Sequence, residues 1–290
     1  MIDILLVGLS LGCVYGFVAV GFTLIYRTTG VMNFSQGAFV MLGGMGAGYV
    51  SEEWGLPLPL AALVGVLVAG LGGLVLVGGL VLPLWRRGAS DFIVILSTLL
   101  FLLAVQNIVL NVMGSDPRRV PPVPGVPDLR LGSIRVDGQV LCIVVVAVLA
   151  TVLLGLFLTK TLLGTAMRAV ATDRSTSRML GISPERIAIV AFVGAALLGG
   201  LGGVLIAPIQ VATWSSAHVY NINGFIAAIM GGLLDVKKAL FGGFVVGIGQ
   251  ALIALYISTT YLELILLLVL VALLLLKPNG IFSRRVAVKY

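Results

Sequence analysis

Charge is scarce in this sequence. Only 10% of its 290 residues are Asp, Glu, Lys or Arg, against about 25% in soluble domains. A mean hydropathy of +1.18 goes with that shortage, and together they exclude an ordinary water-soluble domain. Histidine occurs once, at His218. No Cys, His or carboxylate stands near it at ligand spacing, so there is no metal site to argue for. Cys13 and Cys142 both lie in apolar runs, where cysteine serves as a small core residue rather than half of a disulfide. No Gly-Lys pair is followed by Ser or Thr, so the phosphate-cradling Walker A loop is missing and nucleotide hydrolysis is not expected of this chain. No nucleophile with a matched base emerges either. The sequence reads as a non-enzyme, a protein that moves something rather than transforms it.

Long apolar runs and small residues are plentiful. Hydrophobic residues make up 60% of the chain, and 38 residues are glycine. The runs are too long for the alternating strands of about 10 residues in an outer-membrane barrel. Glycine lets transmembrane helices approach closely, since packing holds them together where lipid is as apolar as they are. The expected fold is all-α: a single polytopic membrane bundle over residues 1–290 with about eight or nine transmembrane helices. Nine apolar segments are read, at 2–26, 34–50, 58–83, 92–114, 139–158, 187–208, 222–235, 239–257 and 262–276. The second, seventh and ninth are short for a hydrocarbon core of about 30 Å. The opening 26 residues lack a basic start and a small-residue cleavage site, and read as a retained span rather than a signal peptide.

Basic residues set the orientation. With the N-terminus outside and the C-terminus in the cytoplasm, the inner connections hold Arg27, Arg86, Arg87, Lys160, Arg168, Arg174, Arg178, Arg186, Lys237, Lys238, Lys277, Arg284, Arg285 and Lys289. The outer ones hold only Arg118, Arg119, Arg130 and Arg135, as the positive-inside rule requires. The net charge of +7 therefore reports topology rather than nucleic-acid binding. The fifth span inverts the second half against the first. Asn33-Phe34-Ser35-Gln36-Gly37 opens a Gly-rich span in one half and Asn221-Ile222-Asn223-Gly224 opens one in the other, a hint of an inverted-topology repeat. The outer loop, residues 114–138, carries five prolines that forbid a regular helix there. It is either a spacer or part of a docking surface for a soluble protein.

Ionisable groups inside the spans are few. Asp91, Asp235 and Glu263 sit at span ends, which leaves little to bind a coupling ion. Uncharged polar residues are the better pathway candidates. Gln106, Asn107 and Asn111 lie in the fourth span, and the two asparagines, four apart, share a helix face. Asn33 is expected to cap the helix after it. If that helix begins at membrane depth, its amides and positive dipole end face a carboxylate. Asn33, Ser35 and Gln36 join the candidate substrate pathway on this ground, with Gly37 permitting close backbone approach, and Asn221 and Asn223, which open the corresponding span of the second half, join it too.

Residues 159–186 form a basic island with Lys160, Arg168, Arg174, Arg178 and Arg186. Five cations at mid-bilayer would cost on the order of 15 kcal/mol on insertion scales, so the island belongs in water or against another protein. Thr165 is read as the cap of one short helix over 166–180, with Ala166, Ala169, Val170 and Ala171 as a small-residue surface that enters a partner's groove. Gly181 suits a left-handed stop. Ser183-Pro184-Glu185 reads as the cap and first turn of the next span.

These residues resemble a known family. Gly164-Thr165-Ala166-Met167-Arg168-Ala169, Asp173 and Leu180-Gly181-Ile182 are similar to the coupling loop of branched-chain amino acid ABC transporter permeases. Asn33-Phe34-Ser35-Gln36-Gly37 resembles that family's motif after the first span. Gly231-Gly232 with Gly242-Gly243 resembles its paired glycines, and Lys277-Pro278-Asn279-Gly280-Ile281-Phe282 its ending. Ser35-Gln36 replaces a frequent Ala-His pair, and Ala38 stands where an acid is frequent. The length matches the shorter, LivH-type subunit. The resemblance implies a permease in a prokaryotic cell membrane, without a cofactor of its own. It implies ATP on two separate cytoplasmic ATPase subunits, a second permease subunit (a copy or a paralogue) and an extracytoplasmic substrate-binding protein. It assigns ATPase coupling to Gly164, Arg168, Ala169, Asp173, Arg174 and Gly181. Substrates of such systems include leucine, isoleucine and valine, other amino acids, urea and short amides. A self-contained ion-coupled transporter or channel for a small polar solute is the alternative.

Overall fold

A computed structural model of the chain describes residues 2–131 and 134–276. The ending motif at 277–282 and the cations Lys277, Arg284, Arg285 and Lys289 lie outside the described residues. The helices are α1 (Ile2–Thr29), α2 (Gln36–Glu53), α3 (Leu58–Leu76), α4 (Leu82–Arg86), α5 (Asp91–Met113), α6 (Gly138–Lys160), α7 (Leu162–Thr172), α8 (Arg174–Met179), α9 (Pro184–Ile206), α10 (Ser216–Gly231), α11 (Val236–Tyr256) and α12 (Leu262–Leu276). A π-turn over Val77–Val81 joins α3 to α4, making one rod over Leu58–Arg86. Pro83, with no N–H to donate, accounts for the irregular turn before it.

Six of these helical stretches are long and apolar enough to cross a bilayer: α1, the α3–α4 rod, α5, α6, α9 and α11. The short segments are short in the fold as well, with α2, α10 and α12 at 18, 16 and 15 residues. The proline-rich loop at 114–137 contains no helix among the described residues. It carries a small antiparallel pairing of β1 (Leu129–Leu131) with β2 (Ile134–Val136).

Glycine decides the packing. Gly8, Gly12 and Gly16 are one turn apart on α1, and Gly243 and Gly247 are one turn apart on α11. A Cβ on Gly243 would run into the backbone of Gly12 and Gly16, and one on Gly247 into that of Gly8 and Gly12. The two helices thus touch main chain to main chain. The same holds where α2, α3 and α9 meet, since a side chain on Gly43 would strike the Gly200 backbone and one on Gly203 the Val40 carbonyl. α6 is peripheral: beyond Val140 it buries only Ile143 and Ala147, leaving Val148, Val152, Leu153 and Leu156 outward.

The helix ends sort into two sets. Arg27, Arg168 and Lys237 line one groove, and Arg174 lies over Trp85, so this end of the bundle is the basic one. At the opposite end Arg118 bonds Glu52 and Glu53 at 3.0 and 2.9 Å and forms a backbone bridge with Ala212. The two carboxylates hold its guanidinium above the ordinary range.

Candidate functional site: a buried polar cluster and a surface lever

Two loops enter the bundle from opposite ends, and both are fastened to α5. The first, between α1 and α2, begins at Gly30, whose φ of +67° turns the chain inward. The Phe34 amide donates to the Thr98 hydroxyl at 3.0 Å, and the Ser35 hydroxyl donates to the Thr98 carbonyl at 2.5 Å. The second, between α9 and α10, is held where Gln106 Nε2 donates to the Trp214 carbonyl at 3.3 Å. Thr98 is seven residues from the start of α5 and Gln106 seven from its end. At 1.5 Å per residue each loop lies about 10 Å inside its own end of the helix. α2 and α10 are therefore shortened helices that begin within the bundle, a geometry that places helix N-termini at membrane depth.

Between the loops lies a buried polar cluster. Asn33, Ser35 and Gln36 are fully buried, and Asn221 and Asn223 nearly so. Asn33 does not cap α2 directly: its Oδ1 accepts from the Ser35 amide at 3.1 Å, holding the turn before the helix. Gln36 Nε2 donates to the Ala195 carbonyl of α9 at 2.8 Å. The Gly37 amide donates to Asn221 Oδ1 at 3.2 Å, so α10 supplies the group that receives an N-terminal amide of α2. A Cβ on Gly37 would strike the Ala217 carbonyl, so glycine there permits the close approach of α2 and α10. Further in, Asn223 donates to the Tyr15 hydroxyl at 3.1 Å, and Tyr15 donates to Gln250 at 2.6 Å. Tyr220 donates to Gln210 at 3.1 Å. The cavity beside Gly44, Gly203, Gln210 and Tyr220 is about 10 Å³, too small for more than one water.

The basic island is two short helices, not one. Thr161 rather than Thr165 caps α7, accepting from the Gly164 amide at 3.0 Å. A Cβ on Gly164 would meet the Phe157 carbonyl, so glycine there permits the sharp corner out of α6. Asp173 ends α7 and caps α8, accepting from the amides of Ser175 and Thr176 at 2.8 and 3.3 Å. The Thr176 and Ser175 hydroxyls also donate to it, and these bonds hold its carboxyl down to about 2. Gly181 has φ +82°, and the Ser183 side chain caps α9, both as expected. Arg174 lies 5.2 Å above the Trp85 ring, and burial pulls its guanidinium below the usual range. Arg178 pairs with Glu185 across the turn.

The outward face of this segment differs from expectation. Val170 is buried with Gly164 and Met167, and Ala166, Ala169 and Ala171 are only partly exposed. The projecting groups are Leu162, Met179 and Leu180, at 92%, 80% and 74% exposure, together with Arg168, which reaches only the Thr165 hydroxyl at 3.3 Å.

Residues 4–275 match the family described as branched-chain amino acid transport system / permease component. The chain belongs to that family. It is 30% identical over 281 residues to the probable branched-chain amino acid transport permease protein LivH of Methanocaldococcus jannaschii, covering 91% of this chain and 86% of the relative. It is 29% identical over 296 residues to the high-affinity branched-chain amino acid transport system permease protein LivH of Escherichia coli K12, covering 96% and 94%. The corresponding protein BraD of Pseudomonas aeruginosa is 27% identical over 297 residues, again covering 96% and 94%.

In this branched-chain permease family member, the pathway candidates fall into two groups. Asn33, Ser35, Gln36, Gly37, Asn221 and Asn223 come together in the cluster, although Asn221 and Asn223 lie inside α10 rather than at its start. Gln106 joins the second loop. Asn107 and Asn111 stand apart: both are exposed on α5 and donate only to their own helix, to the carbonyls of Leu103 and Asn107. The coupling candidates Gly164, Arg168, Ala169, Asp173, Arg174 and Gly181 share the α7–α8 segment. Sequence reading missed Tyr15, Gln210, Tyr220 and Gln250 in the permease cluster. Tyr15 and Gln250 are lone polar groups in apolar helices, and that isolation was the available signal, whereas Gln210 follows α9 and Tyr220 lies in the polar start of α10.

Proposed function

We propose that this chain is the membrane-spanning permease subunit of an ATP-binding-cassette importer for branched-chain or other hydrophobic amino acids. The family match across residues 4–275 is the observation that carries this reading. In a prokaryotic cell membrane, the excess of cations at the basic end supports a cytoplasmic position for that end, with the N-terminus outside. ATP binds two separate ATPase subunits there, and a soluble protein delivers substrate on the other side.

The α7–α8 segment is the contact for the ATPase. Leu162, Met179 and Leu180 offer apolar knobs, Arg168 an exposed cation, and Asp173 and Gly181 fix the two corners. Arg174 on Trp85 ties the segment to the α3–α4 rod, so force applied there reaches a span.

The substrate path runs outside this chain's own core, along the exposed face of α5 and against a second permease subunit. Asn107, about 9 Å inside the end of α5, and Asn111, near that end, point outward, where lipid would leave their amide oxygens without donors. Leu100, Leu103 and Ile108 beside them are exposed too. Apolar walls with two amides suit an amino acid whose side chain is hydrocarbon and whose ends are polar.

Reconstitution with and without the ATPase and binding protein tests this. Uptake should require both. Arg168→Glu and Gly181→Val should abolish uptake while ATP hydrolysis continues. Unchanged uptake in both variants, or uptake by this chain alone driven by an ion gradient, would sink the reading.

A further inference from the structure

A groove of about 670 Å³ opens at the basic end, between α1, α6, α7 and the start of α11. Its walls are apolar, with Leu24, Val152, Leu156, Met167 and Val236 among them. The threonines that line it have turned their hydroxyls away. Thr28 bonds the Leu24 and Ile25 carbonyls, Thr151 the Ala147 carbonyl and Thr159 the Gly155 carbonyl. Gly155 leaves a gap in the α6 wall, where an added Cβ would meet nothing within 4 Å. From Thr159 to Thr151 the groove follows α6 for about 12 Å into the span.

The mouth of the groove is cationic. Arg27, Arg168 and Lys237 surround it, and among the described residues none of them has a carboxylate within ion-pair distance. Asp235 also lines the mouth, but its carboxylate is engaged. It accepts from the Lys237 and Lys238 amides at 3.0 and 3.4 Å and faces the Lys238 ammonium at 3.7 Å.

We propose that this groove is a binding site for one anionic phospholipid, its phosphate among Arg27, Arg168 and Lys237 and an acyl chain lying along Gly155. An apolar slot at the membrane edge closed by cations matches that ligand class and few others. A free phosphate would gain nothing from the apolar walls. A zwitterionic lipid would leave the cations unbalanced. Residues 277–290 of this chain bring four cations and no acidic side chain, so their side chains offer these cations no counter-charge.

Native mass spectrometry of the full chain in mild detergent tests the proposal, with dioleoylphosphatidylglycerol and dioleoylphosphatidylcholine offered in turn. The wild type should retain the anionic lipid preferentially. Arg27→Gln with Lys237→Gln should lower that retention about tenfold or more. Gly155→Leu should lower it as well while leaving every cation in place, and the empty space at that position keeps the variant foldable. Arg86→Gln with Arg87→Gln, at the same end but outside the groove, should change it little. Equal retention of both lipids overturns the proposal. So does normal retention by either groove variant, or a loss in the Arg86 and Arg87 variant as large as in the groove pair.

Discussion

At the residue scale, Asp173 shows how one side chain sets a corner. Four donors from Ser175 and Thr176 stabilise its charged form, so its carboxyl titrates near 2 instead of its ordinary value. A depressed acid stabilises the fold above its unfolded pKa of about 4, and that contribution is lost as pH falls through the folded value. The α8 cap should therefore be intact from neutral pH to about pH 4 and fail between there and about 2. Hydrogen exchange at the Ser175 and Thr176 amides, referenced to intrinsic rates, should lose protection over that window. Asp173→Asn should keep a cap but abolish its dependence on pH. Gly181 is the second corner. At φ +82° a branched side chain is strained by about 1–2 kcal/mol, and Gly181→Val should loosen the α8–α9 turn without unfolding the spans. A resistant turn in limited proteolysis would contradict that. Of these residues, Gly181 and the Ser183 cap were legible in the sequence, because each is a local backbone rule. The α7 cap was misplaced by four residues, since Thr161 and Thr165 are equally suited by type. Only the glycine-dependent corner at Gly164 decides between them.

At the scale of elements, the nine apolar segments reappear as nine helical stretches among the described residues, because hydrocarbon thickness fixes their length and the spans satisfy their own backbone. The start of α10 at Ser216 instead of residue 222 was not legible. The polar run Ser215–Asn223 looks like a loop, and it becomes helix because Asn221 and Asn223 find partners on α2 and α1. The meeting of Gly37 with Asn221 was equally hidden, being a contact over 184 residues of chain. The α1–α11 seam makes a prediction at this scale. Gly247→Val pushes a branched side chain into the backbone of Gly8 and Gly12, with an overpacking cost of about 3 kcal/mol. Scanning fluorimetry of the purified chain should show a lowered unfolding midpoint, and Gly249→Val, at a position with open space, should not.

On the scale of the whole molecule, a closed interior is set apart from an outward polar face on α5. Asn33, Gln36 and Asn221 are bonded to one another or to the main chain and Asn223 to the Tyr15 hydroxyl, and they serve to position α2 and α10. Gln36→Leu should thus lower stability by about 1 kcal/mol or more, through the lost bond to the Ala195 carbonyl and the Asn33 amide left without its Gln36 acceptor, as well as any effect on flux. Asn107 and Asn111 are different. Replacing both by leucine removes no contact within this chain other than bonds to their own helix, so folding should be kept while uptake is lost. Cysteines at the same two positions, carrying a photoactivatable thiol-reactive cross-linker, should capture the proposed second permease subunit in the assembled transporter, and a failure to do so would place the path elsewhere. That these two asparagines share a face was plain from their spacing, but whether the face turns inward or outward depends on how α5 packs, which no local pattern states.

α5 holds one loop near each of its ends, and the loops descend from opposite surfaces. A small slide of this helix along its length would draw one loop deeper and lift the other toward its own surface. Unsealing one side and sealing the other would then be a single stroke of a single rod, with no second moving part to keep in step.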